Sequence, residues 1–576
     1  MPNEPRPVTV EFDVPAPMRD GVILRANVYR PAEAGRWPVL LTRLPYGKDL
    51  PLGSSVLDPA QAARRGYVVI VQDTRGRFTS GGDWVPMQAE GDDGEDTIAW
   101  AAALPYSDGQ VGMYGVSYFG FTQWAAAVRQ PPALKAIVPG ITWADPFNGV
   151  AYRGGALELG KSANWNLQMG LDVVVRRYRH DPAALAQAVV RLCHEMDALG
   201  PSGYWSLPLS EFAPLRRNPV APTFFDGLAS PLDRAHPAAA ATTILGRHAQ
   251  VTVPTFNIGG WYDIFLSDTL TNFASMRAQG RPSKLLIGPW SHVNQGGQVG
   301  EINFGFGAQA AFINLQMDLG SMHLRWFDHW LKDRDTGMLA EAPIKLFVMG
   351  ANVWRDEQAW PLERAVNRPY YLRAGGELSP VAPQAEPPDS YTYDPAGPVP
   401  TRGGALLMTP EFRSGPMDQR PIEQRPDVLV YRTAPLEHDT EVTGPIHVRL
   451  WAASSAPDTD FVARLTDISP DGTSINLTDG IVRARYRGFA QGEPPTLIEP
   501  GRPTEYDIDL WATSNLFRAG HRIGLQITSS CFPRWDRNPN TGHALFADAE
   551  LQVARQTILH DGEHPSHVLL PIVSEV

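Results

Sequence analysis

Short unbroken apolar runs recur through the first half of the chain. They include Trp37-Pro38-Val39-Leu40-Leu41, Val68-Val69-Ile70-Val71, Leu134 to Pro139, Thr255 to Ile258 and Leu285-Leu286-Ile287, with helical stretches between them. A strand that is apolar at every position is covered on both faces, so this pattern predicts a parallel sheet between layers of helices. Ahead of these runs, Val8 to Arg30 alternates as a pair of antiparallel strands would, turning at Arg19-Asp20-Gly21. From Trp143 to His248 the pattern becomes Leu-rich and helical, with scattered aromatics, which predicts a helical cap inserted between sheet strands. After Ile344 to Met349 comes a Pro- and Gly-rich stretch, Ala374 to Gly404, that reads as an irregular connection. Beyond it, segments such as Ile446 to Leu450, Phe461 to Leu465 and Arg522 to Ile527 alternate with period two, predicting a jelly-roll β-sandwich. The expected class is therefore α/β with a C-terminal all-β domain. Its expected divisions are 1–142 with 249–350 for the sheet domain, 143–248 for the cap and 351–576 for the sandwich.

Composition narrows the function. At 576 residues the chain exceeds what one core supports. A formal charge of −12, with Lys and Arg scattered, gives no electrostatic basis for nucleic acid or an anionic membrane as partner. No apolar run reaches the length of a membrane span, and the opening Met1-Pro2-Asn3-Glu4-Pro5-Arg6 carries no leader pattern, so a soluble cytoplasmic protein is expected. Cys193 and Cys531 are the only cysteines and lack metal-ligand spacing, so both are expected to be buried small hydrophobes with no metal between them. The acidic stretch Glu90 to Asp96 lacks the ligand spacing of a calcium loop and reads as the first turn of a helix.

The candidate chemistry begins at Val111 to Gly120, an apolar run ending in Gly115-Val116-Ser117-Tyr118-Phe119-Gly120 before a helical Phe121 to Val128. A sharp strand-to-helix turn exposes a serine hydroxyl and aims a helix N-terminus at the charge that develops when it attacks. Ser117 is the candidate nucleophile. Two later strands end at residues that could activate it: Asp263 after Gly259-Gly260-Trp261-Tyr262, and His292 after Gly288-Pro289-Trp290-Ser291. The chain order Ser, Asp, His is the one that sheet-borne serine hydrolases use. For Asp263 a helix cap is the competing reading. His323 and His329, on a helical stretch, read as core or surface positions.

With these residues in hand, the motifs Arg43-Leu44-Pro45-Tyr46, Asp73-Thr74-Arg75-Gly76, Gly115 to Gly120, Gly260-Trp261-Tyr262-Asp263 and Gly288 to His292 resemble those of the bacterial cocaine esterase family of serine hydrolases. The likeness continues through Gly415-Pro416-Met417-Asp418-Gln419 and Arg425 to Tyr431. It implies an α/β-hydrolase core, a helical cap and a C-terminal jelly roll. It also implies a carboxylesterase that works through an acyl-enzyme, with an oxyanion hole formed by the Tyr46 hydroxyl and the Tyr118 backbone N–H. Trp165, Phe265, Leu407 and Met408 are the expected substrate-pocket residues, with packed core as the alternative for each. No metal or organic cofactor is required, because the triad alone can transfer an acyl group to water. The family includes α-amino acid ester hydrolases, acylases and X-prolyl peptidases, which stand as alternatives to a small-ester hydrolase. Recognition of an α-ammonium would need a carboxylate cluster, with Asp145, Glu158, Asp172 and Glu195 as candidates. A jelly-roll binding protein with a relic triad is the reading from another class, and the intact Ser, Asp and His argue against it. Oligomeric state stays open, a homodimer included.

Overall fold

The computed structural model describes residues 6–573. The antiparallel pair at the start is β1 (Val8–Pro17) and β2 (Ile23–Pro31), closed by Met18 N–H donating to the Val22 carbonyl at 2.8 Å. The apolar runs become β3 (Trp37–Leu44), β4 (Val68–Asp73), β5 (Ser107–Val116), β6 (Leu134–Gly140), β7 (Thr255–Tyr262), β8 (Ser283–Ser291) and β9 (Ile344–Val348). A last strand, β10 (Val353–Glu357), lies past the boundary expected at 350 and pairs antiparallel with β9. Together they form one ten-stranded sheet in the order β1-β2-β4-β3-β5-β6-β7-β8-β9-β10. From β4 to β9 every neighbour is parallel, and only the two edges are antiparallel.

Every residue of β4, β7 and β8 is buried, which is why these strands read as continuous rather than alternating. The first α-helices are α1 (Pro59–Arg64), α2 (Glu90–Ala103) and α3 (Tyr118–Ala127), and Val39, Leu41, Ile70 and Met113 face the last two. Leu40, Val69, Tyr114 and Val138 face the opposite layer, where Leu324, Trp326 and Phe327 of the helix Leu319–Lys332 pack. The sheet is an α/β-hydrolase core, and its chain reverses direction between β4, β3 and β5. Side chains just past the C-terminal ends of β3, β5, β7 and β8 converge outside such a switch point.

Between β6 and β7 the chain leaves the sheet for a cap built on α4 (Leu159–Tyr178) and α5 (Pro182–Leu199), with shorter helices after them. Asp181 caps α5 by accepting from Ala184 N–H at 3.0 Å, with Pro182 at the first helical position. Leu167, Leu192, Phe212 and Leu228 fill the cap's own core. Cys531 is buried as expected, but Cys193 is exposed on the outer face of α5, where the helical period turns it away from the neighbouring Leu192.

The remaining chain is all-β, an eleven-stranded jelly-roll sandwich. The period-two segments supply its core: Val448 and Leu450, Leu465, Leu525 and Ile527 are all fully buried. The stretch 374–404 is more ordered than an irregular connection, carrying the strands Glu377–Ser379 and Asp389–Tyr393. Tyr393 and Tyr391 of the second are buried in the sandwich. Its long strands lock onto the first sheet and the cap: Tyr262 Oη donates to the Asn476 carbonyl at 3.1 Å, and Trp511 Nε1 donates to Asn148 Oδ1 at 3.0 Å.

Candidate active site

Ser117 sits at the turn between β5 and α3 with φ 56° and ψ −123°. A non-glycine residue held there costs on the order of 1–3 kcal/mol unless its surroundings fix it. They do: Ser117 N–H donates to the Gly140 carbonyl at 2.9 Å, and its own carbonyl accepts from Thr142 Oγ1 at 2.8 Å and from Gly120 and Phe121 N–H. The glycines around it have steric causes. A Cβ on Gly115, at φ +140°, would stand 2.2 Å from the Phe119 ring, and one on Gly120 would stand 2.8 Å from the Gly140 carbonyl oxygen. Phe119 therefore occupies the position two after the serine because its ring fills the space that Gly115 leaves.

The structure brings Ser117, His292 and Asp263 into one hydrogen-bonded line. Ser117 Oγ lies 2.9 Å from His292 Nε2, and His292 Nδ1 lies 2.7 Å from Asp263 Oδ2. Asp263 is fully buried, and its other oxygen accepts from Phe265 N–H at 2.7 Å. An ionised carboxylate only accepts, so Nδ1 carries the ring proton and Nε2 is left free to take the serine's. The alternative of a pure helix cap for Asp263 is half true, since one oxygen does serve the turn into the helix that follows.

Tyr46 leaves the end of β3 and lines the same cavity as Ser117. Its hydroxyl accepts from Trp165 Nε1 at 3.3 Å, which leaves its own proton to donate. Burial pushes its phenol above the ordinary value, with Trp165 and Ser117 opposing, so it stays a neutral donor. Tyr118 is the first residue of α3, where a backbone N–H has no carbonyl of its own helix to bind. Its side chain is tied elsewhere: Tyr118 Oη accepts from Met87 N–H at 2.8 Å and donates to Glu90 Oε1 at 2.9 Å.

That last bond shows what the acidic stretch does. Glu90 is buried against Arg43 Nη1 at 3.0 Å, and Asp93 takes Arg75 Nη2 at 2.6 Å, so the charged residues of two of the motifs pin α2 against the turn at Ser117. Asp73 accepts from Lys48 N–H at 2.7 Å and holds the loop after Tyr46. In the other motifs, a Cβ on Gly260 would meet the Trp290 carbonyl oxygen at 2.4 Å, and Trp290 Nε1 donates to the Ala308 carbonyl at 2.7 Å. These residues fix the approach of the strand ends that carry Asp263 and His292.

Over the serine lies a cavity of about 250 Å³ between sheet and cap. Trp143, Trp165, Ile264, Phe265 and Leu407 give it an apolar wall. Phe265 stands edge-on to His292 with ring centroids 5.4 Å apart, and Trp165 stacks on Tyr118. Three of the four expected pocket residues line it, whereas Met408 packs against Gly160 and the core of the cap. None of the four candidate carboxylates reaches the cavity wall. Asp145 pairs with Arg234 at 2.8 Å, Glu195 with Arg217 at 2.6 Å, Asp172 accepts from Phe78 N–H at 3.0 Å, and Glu158 accepts from Trp535 Nε1 at 2.9 Å. A cation reaches it instead: Lys161 of α4 lines the cavity at 8% exposure, a residue that the sequence pattern did not distinguish from any other helical lysine. Its Nζ lies 6.0 Å from the centre of the Phe265 ring.

Residues 20–294 match the model of the X-Pro dipeptidyl-peptidase (S15 family), and residues 336–569 match that of the X-Pro dipeptidyl-peptidase C-terminal non-catalytic domain. Across 98% of the chain and 99% of the relative, the sequence is 39% identical to a cocaine esterase from Rhodococcus sp. (strain MB1 Bresler). The chain belongs to the cocaine esterase family. As a member of that family it is a serine hydrolase and an ester hydrolase. Among solved structures, an α-amino acid ester hydrolase superposes with a TM-score of 0.79 at 25% identity, covering 98% of this chain and 96% of that one. An aminopeptidase from the marine sediment archaeon Thaumarchaeota archaeon superposes with a TM-score of 0.79 at 26% identity, over 99% and 97%. No helix among the described residues is long and apolar enough to cross a membrane.

Proposed function

We propose that this cocaine esterase family member hydrolyses small carboxylic esters by acyl transfer through Ser117. His292 Nε2 takes the proton of Ser117 Oγ as the oxygen attacks the ester carbonyl, and Asp263 holds the ring and offsets the positive charge it gains. The carbonyl oxygen, now anionic, takes hydrogen bonds from the Tyr46 hydroxyl and the Tyr118 N–H at the start of α3. His292 gives its proton to the departing alkoxide as the C–O bond breaks, leaving an acyl group on Ser117. A water that loses its proton to His292 then releases the acid and restores the serine. The observation that carries this reading is the bridge of His292 between Ser117 Oγ at 2.9 Å and Asp263 Oδ2 at 2.7 Å, beside a largely apolar cavity.

Two features speak for an ester over the alternatives. Among the described residues the cavity wall has no buried carboxylate to receive the α-ammonium of an amino-acid ester or of a peptide N-terminus; its acids, Asp226 and Asp233, are exposed. The relative with the highest identity given above is itself an esterase. The test is kcat/KM for an ester and an amide carrying the same benzoyl group, on wild type and Ser117→Ala. Ester turnover lost in the variant, with little amide cleavage, is expected. Equal cleavage of the amide, or turnover that survives the substitution, contradicts the proposal.

A further inference from the structure

The cations buried elsewhere in the fold have partners. Lys48 Nζ reaches Asp49 at 2.8 Å and Asp13 at 2.9 Å, and Lys284 Nζ donates to the carbonyls of Glu341 and Ala342 at 2.8 and 3.0 Å. Lys161 is the exception: nine-tenths buried, on the first turn of α4, it makes no hydrogen bond or ion pair among the described residues. An ammonium taken out of water without a partner costs several kcal/mol. A fold that keeps one in a cavity has left the partner to be supplied by what enters. The aromatic and aliphatic wall formed by Trp143, Trp165, Phe265 and Leu407 suits a hydrocarbon segment between that partner and the reacting ester. The Phe265 ring neighbours both centres, 6.0 Å from Lys161 Nζ and 5.4 Å from the His292 ring.

We infer that Lys161 is a specificity-determining residue that receives a carboxylate of the substrate, so that the cavity takes half-esters of dicarboxylic acids in preference to neutral esters. This rests on the ester-hydrolase mechanism proposed above and names its substrate class. The charges around the lysine are consistent with it. Glu158, just before α4, is the one described charge acting to keep it protonated, and that carboxylate already accepts from Trp535. Asp226 and Asp233 line the cavity from the exposed rim, where water screens them, and His236 lies beside them. His292 meets the same Phe265 ring edge-on, with centroids 5.4 Å apart. Burial lowers the ammonium to about 8, so the group is charged at neutral pH and loses its charge in mildly alkaline solution.

The experiment compares pairs of equal acyl carbon number on the full chain: monophenyl succinate against phenyl butyrate, and monophenyl adipate against phenyl hexanoate. Wild type at pH 7 is expected to favour the anionic member of at least one pair. In Lys161→Met the anionic-to-neutral ratio of kcat/KM falls at least tenfold, chiefly through KM, as loss of a charge-assisted hydrogen bond would give. Lys161→Arg retains part of the preference. Because both members of a pair share His292 and the leaving group, the wild-type ratio also falls as pH rises through about 8, which needs no variant at all. A ratio that is the same in wild type and Lys161→Met, or that does not move with pH, overturns the inference. Phenyl butyrate turnover that persists in Ser117→Ala would instead overturn the mechanism beneath it, so the two failures are distinguishable.

Discussion

Two of the buried regions that hold positive charge handle it in opposite ways. Where the cap meets the sandwich, Arg483 sits between Asp460 and Asp536 at 2.9 and 3.0 Å, and Arg534 donates to Asp479 at 2.6 Å. Arg153 lies over the Trp511 ring at 3.7 Å and donates to the carbonyls of Asp479 and Asp509. Each of these guanidiniums is paired from within the chain. In the cavity above Ser117 a single ammonium faces an apolar wall, and among the described residues no buried acid pairs with it; the acids that line the cavity, Asp226 and Asp233, are exposed. The difference separates charge that holds domains together from charge kept for a ligand.

Removing a partner from the interface should do the greatest damage. Arg483→Met leaves Asp460 and Asp536 buried without their cation, and about 3–5 kcal/mol of stability should be lost, read by urea denaturation. A loss under 1 kcal/mol would erase the contrast from that side. Tyr46→Phe should lower kcat about 100-fold or more, a loss of about 2.7–4 kcal/mol in transition-state stabilisation, while the melting temperature holds. Near-normal turnover would remove the hydroxyl from the oxyanion site.

Lys161→Met should act on stability in the reverse sense to Arg483→Met. Its ammonium titrates near 8 in the fold against 10.5 unfolded. Below pH 8 both states are charged and the fold bears the whole cost; between about 8 and 10.5 the fold is neutral while the unfolded chain still binds the proton, so stability rises with pH. The variant is therefore more stable than wild type at pH 7, by up to about 3 kcal/mol, and the gap closes towards pH 10.5. A variant less stable at pH 7 would mean that the lysine has a structural partner. The smallest effect belongs to an exposed pair: Arg19, half exposed and 2.7 Å from Asp96 and Glu95, should cost within about 1 kcal/mol on change to alanine.

What the sequence could and could not carry follows from the same physics. Parallel strands were legible because burial on both faces leaves an unbroken apolar run, as in Val68 to Val71. Ser117, Asp263 and His292 were legible because each ends such a run, where a sheet presents its chemistry. The cavity wall was legible only where a residue is tied to a strand end or is a large aromatic, as with Phe265 and Trp165. Leu407 and Met408 are neighbours in irregular chain, with no period to say which one turns inward. Lys161 stands on an amphipathic helix where a lysine usually faces water, and only the packing of α4 against the cavity shows otherwise. The stretch 374–404 misleads because its prolines and glycines all fall in the turns around two short strands, Glu377–Ser379 and Asp389–Tyr393, that contain none themselves. The acids of Glu90 to Asp96 were placed correctly on a helix start, but their pairing with Arg43 and Arg75 depends on strands distant in sequence.

Acyl transfer through Ser117 leaves a covalent intermediate, and trapping it is the most direct test. The protein would be mixed with a slowly deacylated aryl ester, quenched in acid during turnover, and mapped by peptide mass spectrometry. A single acyl adduct on the peptide containing Ser117, absent in Ser117→Ala, is expected. An adduct on another residue, or turnover with no adduct at any quench time and no burst of phenol, would contradict it.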